Sequence, residues 1–413
     1  MKLGVLSQWF DPEPGPAAIP GVLSREWVAA GHHVSVLTGF PNYPTGELYP
    51  GYSQRLRDTS RHEGMSVTRV PLYASHNASG LHRAANYVSF AASAAALGGR
   101  ALRGSDAVWV YNSPVTVALP LLTHTRWGGL PYFLHVQDLW PDSLLSSGMV
   151  PGGRAGVLVE RAVSAVVRLM ERRATVVGVI SPGVRRLILD RNPDVDPARI
   201  VYVPNPTDED LFRPVDVVRA AEPPTSTVPT FTLMYVGAIG EVQSLGTLLD
   251  AAELLRAERH IRFVLVGDGI ARARLQSAAK DRGLDAVEFR GRVDKPAVPA
   301  LMATADAQLV SLADSEFLRY TMPSKIASLL ASRLPIIGHL AGDGADLITA
   351  SGGGVISPPG DAWALANAIT TMANMSRAER DAMGVAGYRY YARHLTARSA
   401  AHRIVAALED AQA

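Results

Sequence analysis

The stretch from Glu316 to Pro335, EFLRYTMPSKIASLLASRLP, holds one of the four lysines in a chain that otherwise places its positive charge on arginine. Thr321 suits the cap of a helix, and Pro323 suits its first turn, where a missing N–H costs nothing. A helix is therefore expected to begin within YTMPSK. The free amides and dipole of such a start favour an anion, and Lys325 adds a mobile positive charge in the first turn. Ser324 and Ser328 bring hydroxyls to the same segment, and Glu316 and Arg319 precede it. An ordinary surface helix with an exposed lysine would look the same.

Other polar groups follow apolar runs. MYVGAIGEVQS places Gly237 and Gly240 just after one run, FVLVGDG places Gly267 and Asp268 after the next, and EFRGRV places Arg292 and Val293 after a third. Such turns let backbone amides approach a phosphate or a base, but Gly-Asp-Gly turns are also common as plain connectors. Towards the front, FLHVQDLWPDS places His135, Gln137, Asp138 and Asp142 together; His135 can donate or accept a hydrogen bond at neutral pH, although a lone buried histidine is usually structural. FDPEPGPAAIPG offers Gly15 for close backbone approach, and FPNYPTGELYPGY offers Asn42, Tyr43 and Tyr49 as a polar, aromatic lip or as a loop stiffened by its prolines.

These groups need a scaffold of strand ends. KLGVLSQ, HHVSVLTG, SVTRVPLY, AVWVYN, PYFLHVQD, TVVGVIS and RIVYVPN are short apolar runs separated by helical periodicity, and FTLMYVG, RFVLVGDG, AVEFRG, AQLVSL and PIIGH repeat the pattern. Such alternation indicates parallel sheets with crossover helices. RAAEPPTSTVPT reads as a linker. The fold class is accordingly α/β, with two facing Rossmann-like domains at residues 1–207 and 208–385 and a terminal helical segment, 386–413, that packs on its own domain or back on the first. Ligands of such sheets bind at the carboxyl ends of the strands.

The segments GHHVSVLTGFPNYPTGELYPGY, HVQDLWPDSL, VPNPTDEDLF, FVLVGDG and TMPSKIASLLASRLPII, in that order and spacing, resemble the retaining family-four glycosyltransferases of GT-B fold. The likeness is to the fucosamine-transferase-like branch of polysaccharide and O-antigen assembly, and it spans almost the whole chain. It implies a sugar transferred from a nucleotide-sugar, most simply a UDP-sugar, to a hydroxyl with retention and without a metal or other cofactor. It implies catalytic roles for His135, Asp138 and Lys325. The donor would lie among Gly15, Gly237, Gly240, Gly267, Asp268, Arg292, Val293, Glu316, Arg319, Thr321, Ser324 and Ser328, and the acceptor at Asn42, Tyr43, Gln137 and Asp142. Three departures stand out. Relatives bond the ribose with a glutamate where this chain has Ser328, and they aim an arginine and a lysine at the diphosphate where it has Ala238 and Ser244. An arginine that relatives often carry shortly after Gly15 is replaced by AIPG. A non-catalytic sugar-nucleotide-binding partner and a GT-B nucleotide-sugar epimerase therefore stay open.

Composition narrows the classes further. At 413 residues with 47% apolar and 19% charged residues, the chain suits two globular domains. Without cysteine, a disulfide framework, a thiolate metal site and a cysteine nucleophile are excluded. A net charge of +2 gives no argument for nucleic acid, but residues 1–207 carry +5 and the rest −3. LHRAANYVSFAASAAALGGRALRG and GRAGVLVERAVSAVVRLMERRA combine apolar helical faces with arginines, as interfacial helices do near anionic lipid and as plain crossover helices also do. The expected setting is the cytoplasm, with peripheral contact at the membrane face. The acceptor is expected to be a lipid-linked saccharide or a small secondary metabolite.

Overall fold

The computed structural model describes residues 1–75, 80–126, 129–141, 153–214 and 230–412. It divides into two compact units, Met1–Asn205 with Ala397–Ala413, and Pro206–Thr396. Most of the linker segment and Asp142 lie outside the described residues.

Unit 1 runs β1 (Lys2–Leu6), α1 (Ile19–Ala29), β2 (His33–Gly39), β3 (Asp58–His62), β4 (Met65–Val70), α2 (Gly80–Leu97), β5 (Ala107–Asn112), α3 (Ala118–Arg126), β6 (Tyr132–Val136), α4 (Arg154–Arg173), β7 (Val176–Val179), α5 (Pro182–Arg191) and β8 (Ile200–Tyr202). Its sheet has the order β3-β4-β2-β1-β5-β6-β7-β8, parallel except for the β3/β4 hairpin. The central strands are buried on both faces, which is why they read as continuous apolar runs. The exception is β3, DTSRH, a polar edge strand that apolar patterning does not reveal. Its signal is the Glu63-Gly64 pair, both at positive φ, which forms the two-residue turn that hairpin twist requires.

Unit 2 runs β9 (Phe231–Val236), α6 (Gly246–Leu254), β10 (Ile261–Val266), α7 (Arg272–Asp281), β11 (Val287–Arg290), α8 (Val298–Met302), β12 (Ala307–Ser311), α9 (Glu316–Arg319), α10 (Ser324–Ala331), β13 (Ile336–His339), α11 (Asp343–Ser351), β14 (Gly354–Ser357), α12 (Ala362–Asn374) and α13 (Arg377–His394). The sheet order β11-β10-β9-β12-β13-β14 is all parallel and reverses direction between β9 and β12. That reversal leaves a crevice at the carboxyl ends of the two strands.

The terminal segment divides between the units. Ser376 caps α13, which packs on α10 and α11 within unit 2. The last helix, α14 (Ala397–Asp410), belongs to unit 1, where Ala400, Ile404 and Leu408 join the core beside Leu23 and Trp27. There the Trp27 indole N–H donates to the Ala401 carbonyl at 3.0 Å.

Unit 1 also contains a buried ion pair. Glu171 is fully buried, accepts a short hydrogen bond from Arg191 and accepts another from the Asn192 amide at 2.6 Å. Arg191 spends its second terminal nitrogen on the Trp140 carbonyl at 2.9 Å, tying α5 to the chain that leaves β6.

Candidate active site

The crevice of unit 2 is built from backbone. Gly237 follows β9 and Gly267 follows β10; a Cβ on Gly267 would lie 1.9 Å from the Gly237 carbonyl oxygen, and one on Gly269 would lie 2.4 Å from that of Ile239. Both glycines have positive φ. Only residues without a side chain let these two loops touch, and their contact opens the strand ends to a ligand. Asp268 serves the turn itself, accepting from the Gly269 amide at 2.9 Å. At the next turn, the Gly240 amide donates to the Gln243 side chain at 3.1 Å.

Lys325 reaches into this crevice from the first turn of α10. Its Nζ sits 3.7 Å from the centroid of the Tyr235 ring and 3.0 Å from the point where a Gly237 Cβ would be. The Tyr235 hydroxyl donates to the Ala238 carbonyl at 2.6 Å and so fixes the ring. Although the lysine residue as a whole is partly exposed, its ammonium is tucked under the loops, and burial pulls its pKa from 10.5 down to about 7. Among the described residues no carboxylate pairs with it. A desolvated amine over an aromatic face, without a counter-ion among the described residues, gains its charge most readily when an anion comes beside it.

The local start of α10 differs from the sequence expectation. Pro323 occupies the cap position rather than the first turn, and no side chain caps the helix. Thr321 instead donates to the Phe317 carbonyl at 3.3 Å. The cause is a separate short helix, α9, which the Ser315 hydroxyl caps by accepting from the Leu318 amide. Glu316 is exposed in its first turn. Arg319 is not an unmatched charge for phosphate, because it pairs with Asp314 at 3.0 Å. Ser324 is exposed at the start of α10, and Arg292 and Val293 are exposed after β11. Ser328 shares a hydrogen bond of 2.7 Å with Thr207, so its hydroxyl is held by the chain that enters unit 2. Tyr235 and Thr207 were not singled out in the sequence, because their partners are about 90 and 121 positions away.

Unit 1 has its own reversal point, between β1 and β5. Gly15, at φ 67°, stands in open space after β1. Trp9 lies 5.7 Å from Tyr43 and 6.3 Å from Tyr87, ring centre to ring centre, which forms an aromatic wall. Asp138 accepts from the Ser113 hydroxyl at 2.5 Å, and burial raises its pKa. Gln137 accepts from the Asn205 amide at 2.5 Å, and its own Nε2 has no partner among the described residues. Asn42 is nearly enclosed and receives the Asn86 amide at 3.1 Å.

His135 is corrected by the structure. It does not point out of the strand end but is fully buried within β6, with ring centres 5.7 Å from Trp109 and 6.0 Å from Phe133. Its Nε2 bonds the Val203 carbonyl at 3.0 Å, and burial pulls its pKa down to about 4. A fully buried, neutral imidazole bonded to a backbone carbonyl has the surroundings of a core residue rather than of a group at the strand end.

Glu13 was missed. It is buried, and its carboxyl accepts from the amides of Asn42 and Tyr43 at 2.8 Å each and of Phe10 at 3.1 Å, which locks the loop after β1 to the loop after β2. Burial raises its pKa from 4.5 to about 7, against the pull of those amides and of Arg69. The fold therefore keeps a proton that the unfolded chain releases near pH 4.5; this contribution to stability is full below that pH and is lost as pH rises through 7. Glu13→Ala strands three buried amides and is expected to cost about 1–3 kcal/mol in denaturant unfolding. The gap from wild type should be wider at pH 5 than at pH 8. The reverse order would show that the amides hold Glu13 as a carboxylate.

The two units and their strand-end sites define a GT-B glycosyltransferase. The Glycosyl transferase 4-like domain matches residues 15–206, and the Glycosyl transferases group 1 domain matches residues 230–375. The chain belongs to this family of glycosyltransferases. It is 30% identical over 319 residues, covering 74% of this chain and 75% of the other, to the "Putative colanic acid biosynthesis glycosyl transferase WcaI" of Escherichia coli. Among solved structures, Anabaena HepE in complex with UDP and glucose superposes with a TM-score of 0.65 at 15% identity, over 99% of both chains. Sucrose-phosphate synthase from Thermosynechococcus elongatus gives a TM-score of 0.66 at 18% identity, over 99% of this chain and 98% of its own.

Proposed function

We propose that the protein transfers a sugar from a UDP-sugar to a hydroxyl acceptor with retention of configuration, the acceptor being a lipid-linked saccharide or a small secondary metabolite. The observation that carries this is the Lys325 ammonium, without a carboxylate partner among the described residues, facing glycine-only strand ends at the reversal point of unit 2. That position suits a diphosphate, and the complex of HepE with UDP and glucose supports the choice of nucleotide.

In the reaction, the bond from the anomeric carbon to the diphosphate oxygen breaks and its electron pair leaves with the diphosphate. The acceptor oxygen attacks from the same face, and its proton passes to the departing phosphate oxygen. The chain's task is to stabilise the charge that develops there, which falls to Lys325 and to the amides of the Gly237 and α10 turns. Asp138, steadied by Ser113, is placed to accept from an acceptor hydroxyl, with Trp9, Tyr43 and Tyr87 as the surface on which a sugar ring packs.

Calorimetric titration with UDP, GDP, ADP and TDP, without added metal, tests the reading. UDP is expected to bind most tightly, and Lys325→Ala to lose that binding. If none binds, the Ser328, Ala238 and Ser244 replacements mark a disabled donor site and the protein is a non-catalytic partner.

A further inference from the structure

In unit 1, α2, α3 and α4 pack side by side on one face of the sheet, since α2 contacts α3 and α3 contacts α4. Their solvent sides do not have the polar character of an ordinary outer layer. Along α2 the exposed positions are His82 and, at helical spacing, the apolar series Leu81, Ala85, Val88, Ala92 and Ala96. Leu81 is 79% exposed and Val88 58%, so neither is covered by the rest of the chain. On α3, Leu119 is 51% exposed. On α4, Leu158 is 70% exposed and begins a second stripe that continues through Ala162, Ala165 and Leu169.

Positive charge predominates on this face, with Glu160 its one partly exposed acid among the described residues of the three helices. Neither α2 nor α3 contains an acidic residue, and α4 contains two, of which Glu171 is turned inward to Arg191. Arg161, Arg168 and Arg173 are exposed along α4, and Arg100 and Arg103 are exposed just beyond the end of α2. Contiguous apolar area on a soluble surface marks an interaction site. Apolar stripes bordered by arginine, with almost no acid between them, match a surface that is apolar below and anionic above. No helix among the described residues is long and apolar enough to cross a membrane, so the contact would be lateral.

We infer that the α2–α3–α4 face is a docking surface for an anionic lipid bilayer, with the α2 and α4 stripes entering the acyl boundary and the arginines meeting the phosphates. The face is independent of the donor site and of the identity of the acceptor. It would bring an enzyme that handles lipid-linked saccharides to its substrate.

The test is sedimentation of the full chain with vesicles of phosphatidylcholine alone and of phosphatidylcholine with 30% phosphatidylglycerol, at low and high salt. Binding is expected only to the anionic vesicles and is expected to weaken with salt. Leu81→Asp with Val88→Asp should abolish it, and Arg161→Ala with Arg168→Ala should weaken it roughly thirtyfold, about one kcal/mol being assigned to each basic residue at such a surface. Leu81, Val88, Arg161 and Arg168 are all exposed and none belongs to the donor crevice of unit 2, so nucleotide affinity, measured in parallel, should be unchanged; that control separates failure of this inference from failure of the proposed function. Equal binding to neutral vesicles, no binding to either, or a dimer in sedimentation velocity that Leu81→Asp dissociates would overturn it.

Discussion

Replacing Lys325 with alanine is expected to lower kcat/KM for the donor by about 2 kcal/mol or more of transition-state stabilisation, roughly thirtyfold or greater. The loss should fall on both KM and kcat, because the ammonium already meets the diphosphate of the bound donor and the charge there grows further as the sugar bond breaks. The environment of the amine adds a pH signature. In the free protein burial holds its pKa near 7, whereas a bound diphosphate favours the ammonium. Below pH 7 the lysine is already charged and donor affinity should not vary on its account. Above pH 7 binding must take up a proton, so affinity should fall as pH rises. Titration at pH 8 in two buffers of different ionisation enthalpy should reveal that uptake, and Lys325→Ala should abolish it. Unchanged turnover in the variant would remove Lys325 from the mechanism.

Arg191→Ala is expected to have the largest effect on stability. It leaves Glu171 fully buried without its cation, a situation that costs about 3–5 kcal/mol. Exchanging the pair together, Arg191→Met with Glu171→Leu, should recover much of that loss, because a buried ion pair contributes little beyond what apolar packing supplies. Unfolding in denaturant would measure both. Equal destabilisation by the single and double changes would mean that the Trp140 carbonyl, rather than Glu171, is what Arg191 chiefly serves.

The parts of this protein that a reader can recover from its sequence are those set by near neighbours. Strands such as β5 and β9 are apolar but for Asn112 and Thr232 because helices cover both faces, so their presence is plain. For the same reason their facing is not, and His135 illustrates the cost. It lies on the same side of β6 as Phe133, which is core, but a strand that is apolar on both sides offers no alternation to reveal it. The helix start that carries Lys325 was legible through the punctuation of YTMPSK. Tyr235, which sets the chemistry of the amine, and Glu13, which ties two loops together, take their meaning from contacts far along the chain. The short helix α9 shifted the start of α10 by using Ser315 as a cap, a local choice that competed with Thr321.

The return of α14 to unit 1 has a consequence for biosynthesis. Unit 2 is an insertion within unit 1, and its whole length leaves the ribosome as one uninterrupted stretch. The first 205 residues emerge earlier, yet their core lacks Ala400, Ile404 and Leu408 until all of unit 2 has been made. During that interval Trp27 and Leu23 face a slot that has no occupant. The nascent chain thus completes its later-made unit before its earlier-made one, and a chain cut between the two units' last segments, just before Ala397, would hold one finished unit and one open core.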